Sequence, residues 1–205
     1  PEARLVTVRG QWSKGETALA KGPDGVWSAT LGPVAPGLWE YNFVVDGMPV
    51  VDPTNPMLKP QRGVRASQLE IADMPARTAE LQNVPHGTLH IHTYLSKALG
   101  RTRRVHVYTP PGYEKTSTRY PVLYLLHGNG DNDAAWSGHG RANVILDNLI
   151  AAGKAKPMVI VMTDGHAVPV GAQDKDPQLR FRDNMLAFGR DLVDDVLPLV
   201  EGLYR

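Results

Sequence analysis

The sequence predicts two structural units, a small β-sandwich followed by the first part of an α/β fold whose mostly parallel sheet is flanked by helices. Over residues 1–72, short segments rich in β-branched and aromatic residues alternate with glycine and proline turns, which is typical of a sandwich. Further along, two apolar runs of strand length enclose a helical pattern, which predicts a strand–helix–strand crossover. Residues 73–85 contain two prolines and little periodicity, and we interpret them as a linker.

The first unit is predicted from short strands separated by turns. Its strands are residues 3–9, 26–30 and 38–45, with turns at 21–25 and 33–37, and Asp46-Gly47 closes a tight hairpin. Asp46, Asp52 and Asn55 could suggest a calcium site. Asx turns explain these three residues more simply, and we predict no metal there.

Four aromatic residues of this unit allow two interpretations. They are Trp12, Trp27, Trp39 and Tyr41. Together they could form a platform on which sugar rings stack, or they could fill the interior of the sandwich. We favour the interior, because large aromatic side chains dominate core burial.

A β-hairpin is predicted after the linker, because residues 86–94 and 103–109 alternate apolar and other side chains. His90 and His92 share one face of the first strand, and His106 lies on the facing strand. A metal site is conceivable there, since imidazoles two residues apart in a strand point the same way. A solvent-facing or interdomain face of an antiparallel pair explains the histidines more simply.

The turn of this hairpin, Ala98-Leu99-Gly100, is followed by a basic segment. Arg101, Arg103 and Arg104 all lie within five residues of the turn. Charged side chains beside an exposed turn are ordinarily hydrated. We therefore expect these arginines to do no more than solvate the turn.

The second unit is organised around the apolar run 122–126. An unbroken run of this length suits a strand that is buried on both faces inside a parallel sheet. It ends at His127-Gly128-Asn129-Gly130, where the glycines permit a sharp turn at the carboxyl end of the strand. In open α/β sheets ligands bind at that end, and a backbone N–H in such a loop can stabilise a developing oxyanion.

A helix and a second buried strand complete the crossover. Residues 143–152 place apolar side chains on one helical face, Gly153 is the stop signal, and residues 157–162 form the strand. The last predicted helix covers residues 181–204, and Pro198 is expected to kink it.

The second strand ends in two further polar residues, Asp164 and His166, at the same rim of the predicted sheet as His127. We therefore include all three side chains in a candidate substrate pocket. Residues 164–180 are polar and too long for a simple connection. A stretch of this kind indicates a binding loop or a flexible loop.

Composition excludes several classes of partner and chemistry. The 22 basic and 21 acidic residues give a net charge of +1, so no basic field indicates nucleic acid or an anionic membrane. No apolar run approaches the ~20 residues that span a bilayer. The chain contains no cysteine, which excludes disulfides and thiolate chemistry.

Three spaced motifs of the first unit resemble a known module. They are Gly25-Val26-Trp27, Pro36-Gly37-Leu38-Trp39-Glu40-Tyr41-x-Phe43-Val44-Val45-Asp46-Gly47 and Asp52-Pro53-x-Asn55-Pro56. Residues 1–72 are thereby similar to the glycogen-binding-type module of carbohydrate-binding family 48. The resemblance implies an immunoglobulin-like β-sandwich, with a polysaccharide as a candidate partner.

A second resemblance begins at Tyr-Thr-Pro-Pro-Gly-Tyr, residues 108–113, and continues through Tyr-Pro-Val-Leu-Tyr-Leu-Leu-His-Gly, residues 120–128. Residues 86–205 are similar to the esterase D group of α/β-hydrolases, in particular to the feruloyl and acetyl xylan esterases of carbohydrate esterase family 1. The resemblance implies that these residues are the N-terminal part of an esterase domain of the α/β-hydrolase fold.

The same resemblance implies roles for the residues that follow the apolar run. Asn129 would supply a backbone N–H to the oxyanion hole, with Gly128 and Gly130 shaping the loop. His127 would be structural rather than the base of a catalytic triad. Trp136 would line the acyl pocket or pack under the loop.

The nucleophile of an esterase of this kind is missing from the sequence. In the hydrolase fold it lies in Gly-x-Ser-x-Gly between a strand and a helix, and the acid and histidine follow later. Ser137 has Ala135 in place of the first glycine and precedes a helix, and the other serines also fail the test. No member of the Ser-His-Asp triad is therefore assigned. We predict that the chain ends before the nucleophile and is inactive alone.

The resemblances imply a cofactor-free carboxylic ester hydrolase that removes feruloyl or acetyl groups from plant polysaccharides or oligosaccharides. An enterochelin-esterase-like siderophore hydrolase is the alternative enzyme, and a non-catalytic carbohydrate-binding or scaffold protein is the alternative of another class. The chain starts at Pro1, without Met or a signal peptide, as a processed or trimmed product would. We expect a secreted or periplasmic location.

Overall fold

The computed structural model describes residues 2–168 and 176–204. The chain divides into two compact units, Pro1–Glu80 and Leu81–Arg205, and the division falls inside the segment predicted as a linker. Part of the predicted loop 164–180 lies outside the described residues. None of the described helices is long and apolar enough to cross a membrane.

The first unit is built on an antiparallel sheet centred on its longest strand. The strands are β1 (Val6–Gly10), β2 (Glu16–Ala18), β3 (Ala20–Lys21), β4 (Trp27–Ser28), β5 (Gly37–Val45), β6 (Met48–Val50) and β7 (Ser67–Ile71). The sheet order is β2-β1-β5-β6, β7 also pairs with β5, and β3 and β4 form a separate two-stranded ribbon. Strand β7 was not among the predicted strands. The two-layered sandwich itself stays a prediction.

The aromatic residues of this unit do not form its interior. Its buried hydrophobic side chains are Val6, Val8, Val44 and Ala66. Trp12, Trp27, Trp39 and Tyr41 are only half-buried. Their polar atoms also need partners, and Trp39 Nε1 donates to Ala35 O at 2.8 Å while Tyr41 OH donates to Asp52 at 2.7 Å. The expectation that these rings fill the core is therefore wrong.

The second unit contains a four-stranded mixed sheet with helices on both faces. Its elements are β8 (Thr88–Ser96), β9 (Arg101–Thr109), a 3-10 turn (Tyr113–Lys115), β10 (Val122–Leu126), α1 (Ala135–Gly138), α2 (Ala142–Ala151), β11 (Val159–Thr163), α3 (Pro177–Asp191), a π segment (Leu192–Val196) and α4 (Leu197–Leu203). The strand order is β10-β11-β9-β8. The predicted hairpin, crossover helix and second strand are thus all present.

Two details of the predicted sheet are wrong within the described residues. Only β10 and β11 are parallel, whereas β9 runs antiparallel to β11 as well as to its predicted hairpin partner β8. Strand β10 is an edge strand rather than a doubly buried one. Val122, Leu123 and Leu126 are each more than 40% exposed, since no described strand pairs with the outer edge of β10.

Side chains from alternate positions of β9 and β11 form two apolar layers. On one face, Val105 and Val161 pack with Val196 and Val200 of the last helical segments. On the other face, strand residues pack against α2. The helix predicted at 181–204 is interrupted by a π turn, in which Leu197 N–H donates to Leu192 O. Pro198, directly after this turn, has no N–H for the regular helical bond.

Candidate active site

The loop that follows β10 forms a tight turn over residues 128–131, which we call the oxyanion turn after the role that the esterase resemblance implies for it. Asp131 N–H donates to Gly128 O at 3.2 Å, and Gly130 has φ +99°. This is the conformation that requires glycine at the third position of a type II turn. A Cβ on Gly128 would meet only Asp131 Oδ2, at 3.4 Å. The turn therefore needs the second glycine more than the first.

The side chain of His127 lies under the oxyanion turn and is 3% exposed. Its Nδ1–H donates to Gly128 O at 2.8 Å, and its Nε2 accepts from Gly165 N–H at 2.8 Å. The same Nε2 is 3.1 Å from Asp164 Oδ1. Burial lowers the pKa of His127, but the hydrogen bonds to Asp164 and Gly128 and the nearby carboxylates outweigh burial, so the pKa is raised.

Residues 164–168, which we call the support loop, carry the other predicted pocket residues. Asp164 Oδ1 accepts from His166 N–H at 2.9 Å, and His166 Nε2 donates to Asp131 O at 3.1 Å. The rings of His127 and His166 are 4.8 Å apart. Burial raises the pKa of Asp164, but the hydrogen bonds from His127 and His166 N–H and the charge of Arg103 hold it below its ordinary value. The structure thus brings His127, Asp164 and His166 together.

These three side chains could also be read as metal ligands, because their ligand atoms lie within 4.8 Å of one another. Both ring nitrogens of His127, however, already have backbone partners, Gly128 O and Gly165 N–H. A cation on Nε2 would have to displace the Gly165 N–H. The geometry therefore suits a hydrogen-bonded cluster better, and the absence of a metal stays a prediction.

Two arginines hold the support loop through its carbonyl groups. Arg101 donates to the carbonyls of His166 and Ala167 at 2.9 and 2.8 Å, and Arg103 donates to His166 O at 2.8 Å and contacts Asp164 O. The expectation that these arginines merely solvate a turn is wrong. A signal was available, since Arg103 shares its strand face with two valines, Val105 and Val107, and a residue on that face is buried.

The charge of the buried Arg103 guanidinium is compensated by a carboxylate from the helical segment that covers the same face of the sheet. Arg103 Nε is 3.2 Å from Asp191 Oδ2, and the Asp191 side chain is fully buried. Tyr94 OH donates to the same carboxylate at 3.0 Å. Burial, offset in part by a hydrogen bond with Arg103, raises the pKa of Tyr94 to about 12. This network connects the end of α3 to the support loop.

The third arginine, Arg104, belongs to a separate cluster beside α1. Arg104 Nε lies 3.0 Å from Asp133 Oδ2. Asp133 is also 3.3 Å from His106 Nε2, and His106 Nδ1 is 2.9 Å from Ser137 Oγ. The cluster contains the residue types of a Ser-His-Asp triad. Ser137 nevertheless sits inside α1 with its Oγ 3.2 Å from Ala134 O, and it is not on a strand-to-helix elbow.

Trp136 packs beneath the turn. Its Nε1 donates to Leu126 O, the last residue of β10, at 2.8 Å. Its ring contacts the apolar layer between the sheet and α2, and a Cβ on Gly140 would lie 2.5 Å from the ring. Of the two roles expected for Trp136, these contacts favour packing over lining an acyl pocket.

The histidines of the β8–β9 hairpin do not converge on one point. His90 faces Val107 and His92 faces Val105, whereas His106 faces Ile91, so His106 projects from the opposite face of the sheet. His92 Nε2 lies 2.5 Å from Tyr204 OH, and the rings of His90 and His92 both contact the Tyr204 ring. Burial lowers the pKa of His92. The expected solvent-facing surface is partly covered by Tyr204.

A mixed sheet with helices on both faces and a glycine turn at the carboxyl end of a strand is an arrangement found in the α/β-hydrolase class. The chain belongs to the Esterase family, whose model matches residues 96–205. Over 172 residues it is 37% identical to an endo-1,4-beta-xylanase/feruloyl esterase of Xylanibacter ruminicola, and the match covers 80% of this chain and 24% of the relative.

Solved structures agree with this membership. The CE1 ferulic acid esterase of Anaeromyces mucronatus is 29% identical with a TM-score of 0.52, and the match covers 61% of this chain and 47% of that one. An enterobactin esterase of Shigella flexneri is 19% identical with a TM-score of 0.64, and the match covers 98% of this chain and 56% of that one. The second likeness shows the fold only. The chain thus spans about a quarter of the curated relative and about half of the solved ones.

Proposed function

We propose that this chain is part of an enzyme that removes feruloyl or acetyl groups from acylated plant polysaccharides or oligosaccharides. The observation that carries the proposal is the oxyanion turn, in which Asp131 N–H donates to Gly128 O at 3.2 Å and Asn129 is exposed just after the carboxyl end of β10. The family membership supports ester hydrolysis, and the names of the relatives in Xylanibacter ruminicola and Anaeromyces mucronatus support a feruloyl group.

The proposed chemistry is acyl transfer through a Ser-His-Asp triad in residues outside this chain. The serine would attack the ester carbonyl while the histidine takes its proton, and the carbonyl oxygen would become an oxyanion. Asn129 N–H would donate to that oxygen, where a hydrogen bond is strongest in the transition state. The histidine would then return the proton to the leaving alcohol, and water would release the carboxylic acid.

The direct test uses the longer gene product that contains these residues. It should hydrolyse methyl ferulate or acetylated xylo-oligosaccharides with saturation kinetics, and an Asn129→Pro variant should lose most of this activity. Preferential hydrolysis of enterobactin would instead favour the siderophore alternative. Folded protein without turnover on any of these esters would contradict the proposal and favour a scaffold.

We also propose that the first unit binds the polysaccharide that carries the ester. A groove of about 520 Å³ is lined by polar side chains, including Gln11, Glu40 and Asn42, and by Tyr41. Tyr41 lines the groove and its ring lies 5.8 Å from that of Trp12, and the buried Asn42 Oδ1 has no partner among the described residues. Amide and carboxylate groups next to half-exposed rings suit a ligand with many hydroxyls.

Affinity electrophoresis in gels containing xylan or starch tests this binding. Asn42→Ala, which removes the unpartnered amide oxygen from the groove, should weaken the retardation, whereas Trp27→Ala, outside the groove, should leave it unchanged. A wild-type protein that migrates equally with and without polysaccharide would contradict the proposal. A polysaccharide partner also agrees with the proposed secreted or periplasmic location, which immunodetection in culture fractions of the source organism can check.

A further inference from the structure

We propose that His127 is a positioning residue that orients the Gly128–Asn129 peptide, so that Asn129 N–H points to the place where the oxyanion forms. This inference rests on the proposed function and assigns a role to a side chain that is only 3% exposed. The His127 side chain acts through the backbone, and the inference is based on the geometry of the Gly128–Asn129 peptide unit.

The carbonyl of Gly128 and the N–H of Asn129 belong to one rigid plane. Among the described residues the only cis peptide bonds precede Pro33 and Pro75, so this peptide is trans, and its C=O and N–H point in opposite directions. Gly128 O is held by two donors, His127 Nδ1–H at 2.8 Å and Asp131 N–H at 3.2 Å. Holding the carbonyl on the protein side turns the Asn129 N–H outward.

The proton on Nδ1 of His127 is itself fixed by the other side of the ring. Gly165 N–H donates to Nε2 at 2.8 Å, which in the neutral imidazole leaves the proton on Nδ1. In the imidazolium form Nδ1 keeps its proton, while Nε2 donates to Asp164 Oδ1, 3.1 Å away. Nδ1–H is therefore available to Gly128 O in both charge states. Gly165 N–H in the neutral form and Asp164 Oδ1 in the charged form therefore both leave Nδ1–H as the donor to Gly128 O.

The support loop that presents Gly165 is held from two sides. Arg101 and Arg103 bind its carbonyls. Asn184 of α3 accepts from Ala167 N–H at 2.9 Å and donates to Gly165 O at 2.8 Å. A continuous series of hydrogen bonds thus runs from a helix, through the support loop and His127, to the oxyanion turn. Such support gives a catalytic backbone group its fixed direction.

The test compares His127→Asn with His127→Gln in the longer, active protein. The amide nitrogen of Asn can occupy the place of Nδ1, whereas the amide of Gln reaches the place of Nε2. We expect His127→Asn to keep kcat within a few-fold of wild type, and His127→Gln and His127→Ala to lower kcat about tenfold to a hundredfold with little change in KM. Equal losses in the Asn and Gln variants, or no loss in either, would overturn the proposal.

A second readout does not depend on activity. In the 205-residue chain, the amide resonance of Asn129 reports the hydrogen bonds of the preceding carbonyl. It should stay near its wild-type position in His127→Asn and move in His127→Gln. If both variants leave it unmoved, the orienting role is excluded. Should the longer wild-type protein hydrolyse no ester, the proposed function fails, while this comparison still decides whether His127 orients the peptide.

Discussion

In the proposed mechanism, Asn129 acts through its backbone N–H rather than through its side chain. The residue is exposed. His127 Nδ1–H and Asp131 N–H both donate to Gly128 O and so fix the plane of the Gly128–Asn129 peptide. In the longer protein we expect Asn129→Ala to change kcat modestly and Asn129→Pro to lower it about a hundredfold or more, because proline removes the donor and losing one oxyanion bond costs ~3 kcal/mol. Thermal unfolding must accompany the assay. A folded Asn129→Pro variant with near-normal kcat would contradict the assignment.

The two glycines of the oxyanion turn are not equivalent. We expect Gly130→Ala to destabilise the protein by about 1 kcal/mol or more, because a side chain is strained at positive φ. Gly128→Ala is the matched control, since its Cβ meets only Asp131 Oδ2 at 3.4 Å. Denaturant unfolding of both variants measures the difference. Equal destabilisation would show that the turn is not formed as described.

His127 should titrate above its ordinary pKa because of its neighbours. Burial lowers the pKa, but Asp164, Gly128 O and Asp131 together raise it. Proton uptake by the folded state then stabilises the protein fully below the unfolded pKa of about 6.5, and this contribution is lost as the pH rises through the folded pKa. An NMR titration of the imidazole should show the raised pKa in wild type and a lower one in Asp164→Asn. An unchanged value in that variant would exclude Asp164 as the cause.

At the scale of elements, the end of α3 is joined to the sheet by a buried ion pair rather than by apolar contacts alone. The Asp191 carboxylate pairs with Arg103 and accepts a hydrogen bond from Tyr94 OH. The side chains of Asp191 and Arg103 are both almost fully buried. Removing one member of such a pair leaves the other charge buried and uncompensated, which typically costs about 3–5 kcal/mol.

We therefore expect Asp191→Ala to lower the free energy of unfolding by about that amount and to release the support loop. Asp194→Ala changes an exposed carboxylate in the same helical segment and should have little effect on stability. Denaturant midpoints for the two variants make the comparison. If Asp191→Ala is as stable as Asp194→Ala, the pair does not anchor the helix.

At the scale of the whole molecule, we expect the 205-residue chain alone not to hydrolyse aryl acetates or methyl ferulate above background. The reason is that no serine occupies a Gly-x-Ser-x-Gly elbow, and loss of the nucleophile removes several orders of magnitude of rate. Ser137→Ala is the control, because Ser137 contacts His106. Saturable turnover that disappears in Ser137→Ala would show that the cluster beside α1 is catalytic.

The sequence by itself determined the elements whose signals are local. A few neighbouring residues are enough to encode each of these signals. They are the alternation in β5, the hairpin of β8 and β9, the apolar runs of β10 and β11, and the stop of α2 at Gly153. The turn after β10 was also predictable, because glycines are spaced at the end of an apolar run. His127, Asp164 and His166 could be placed together because parallel strands bring their carboxyl ends to one rim.

Only the tertiary structure decided which residues pair across long distances. The edge position of β10, the added strand β7, and the burial of Arg103 against Asp191 each depend on segments far apart in the chain. The hydrogen bond that fixes the tautomer of His127 comes from Gly165, in the loop that follows another strand. Periodicity shows which face a side chain occupies, but the partner on that face is set by the packing of the whole sheet and its helices.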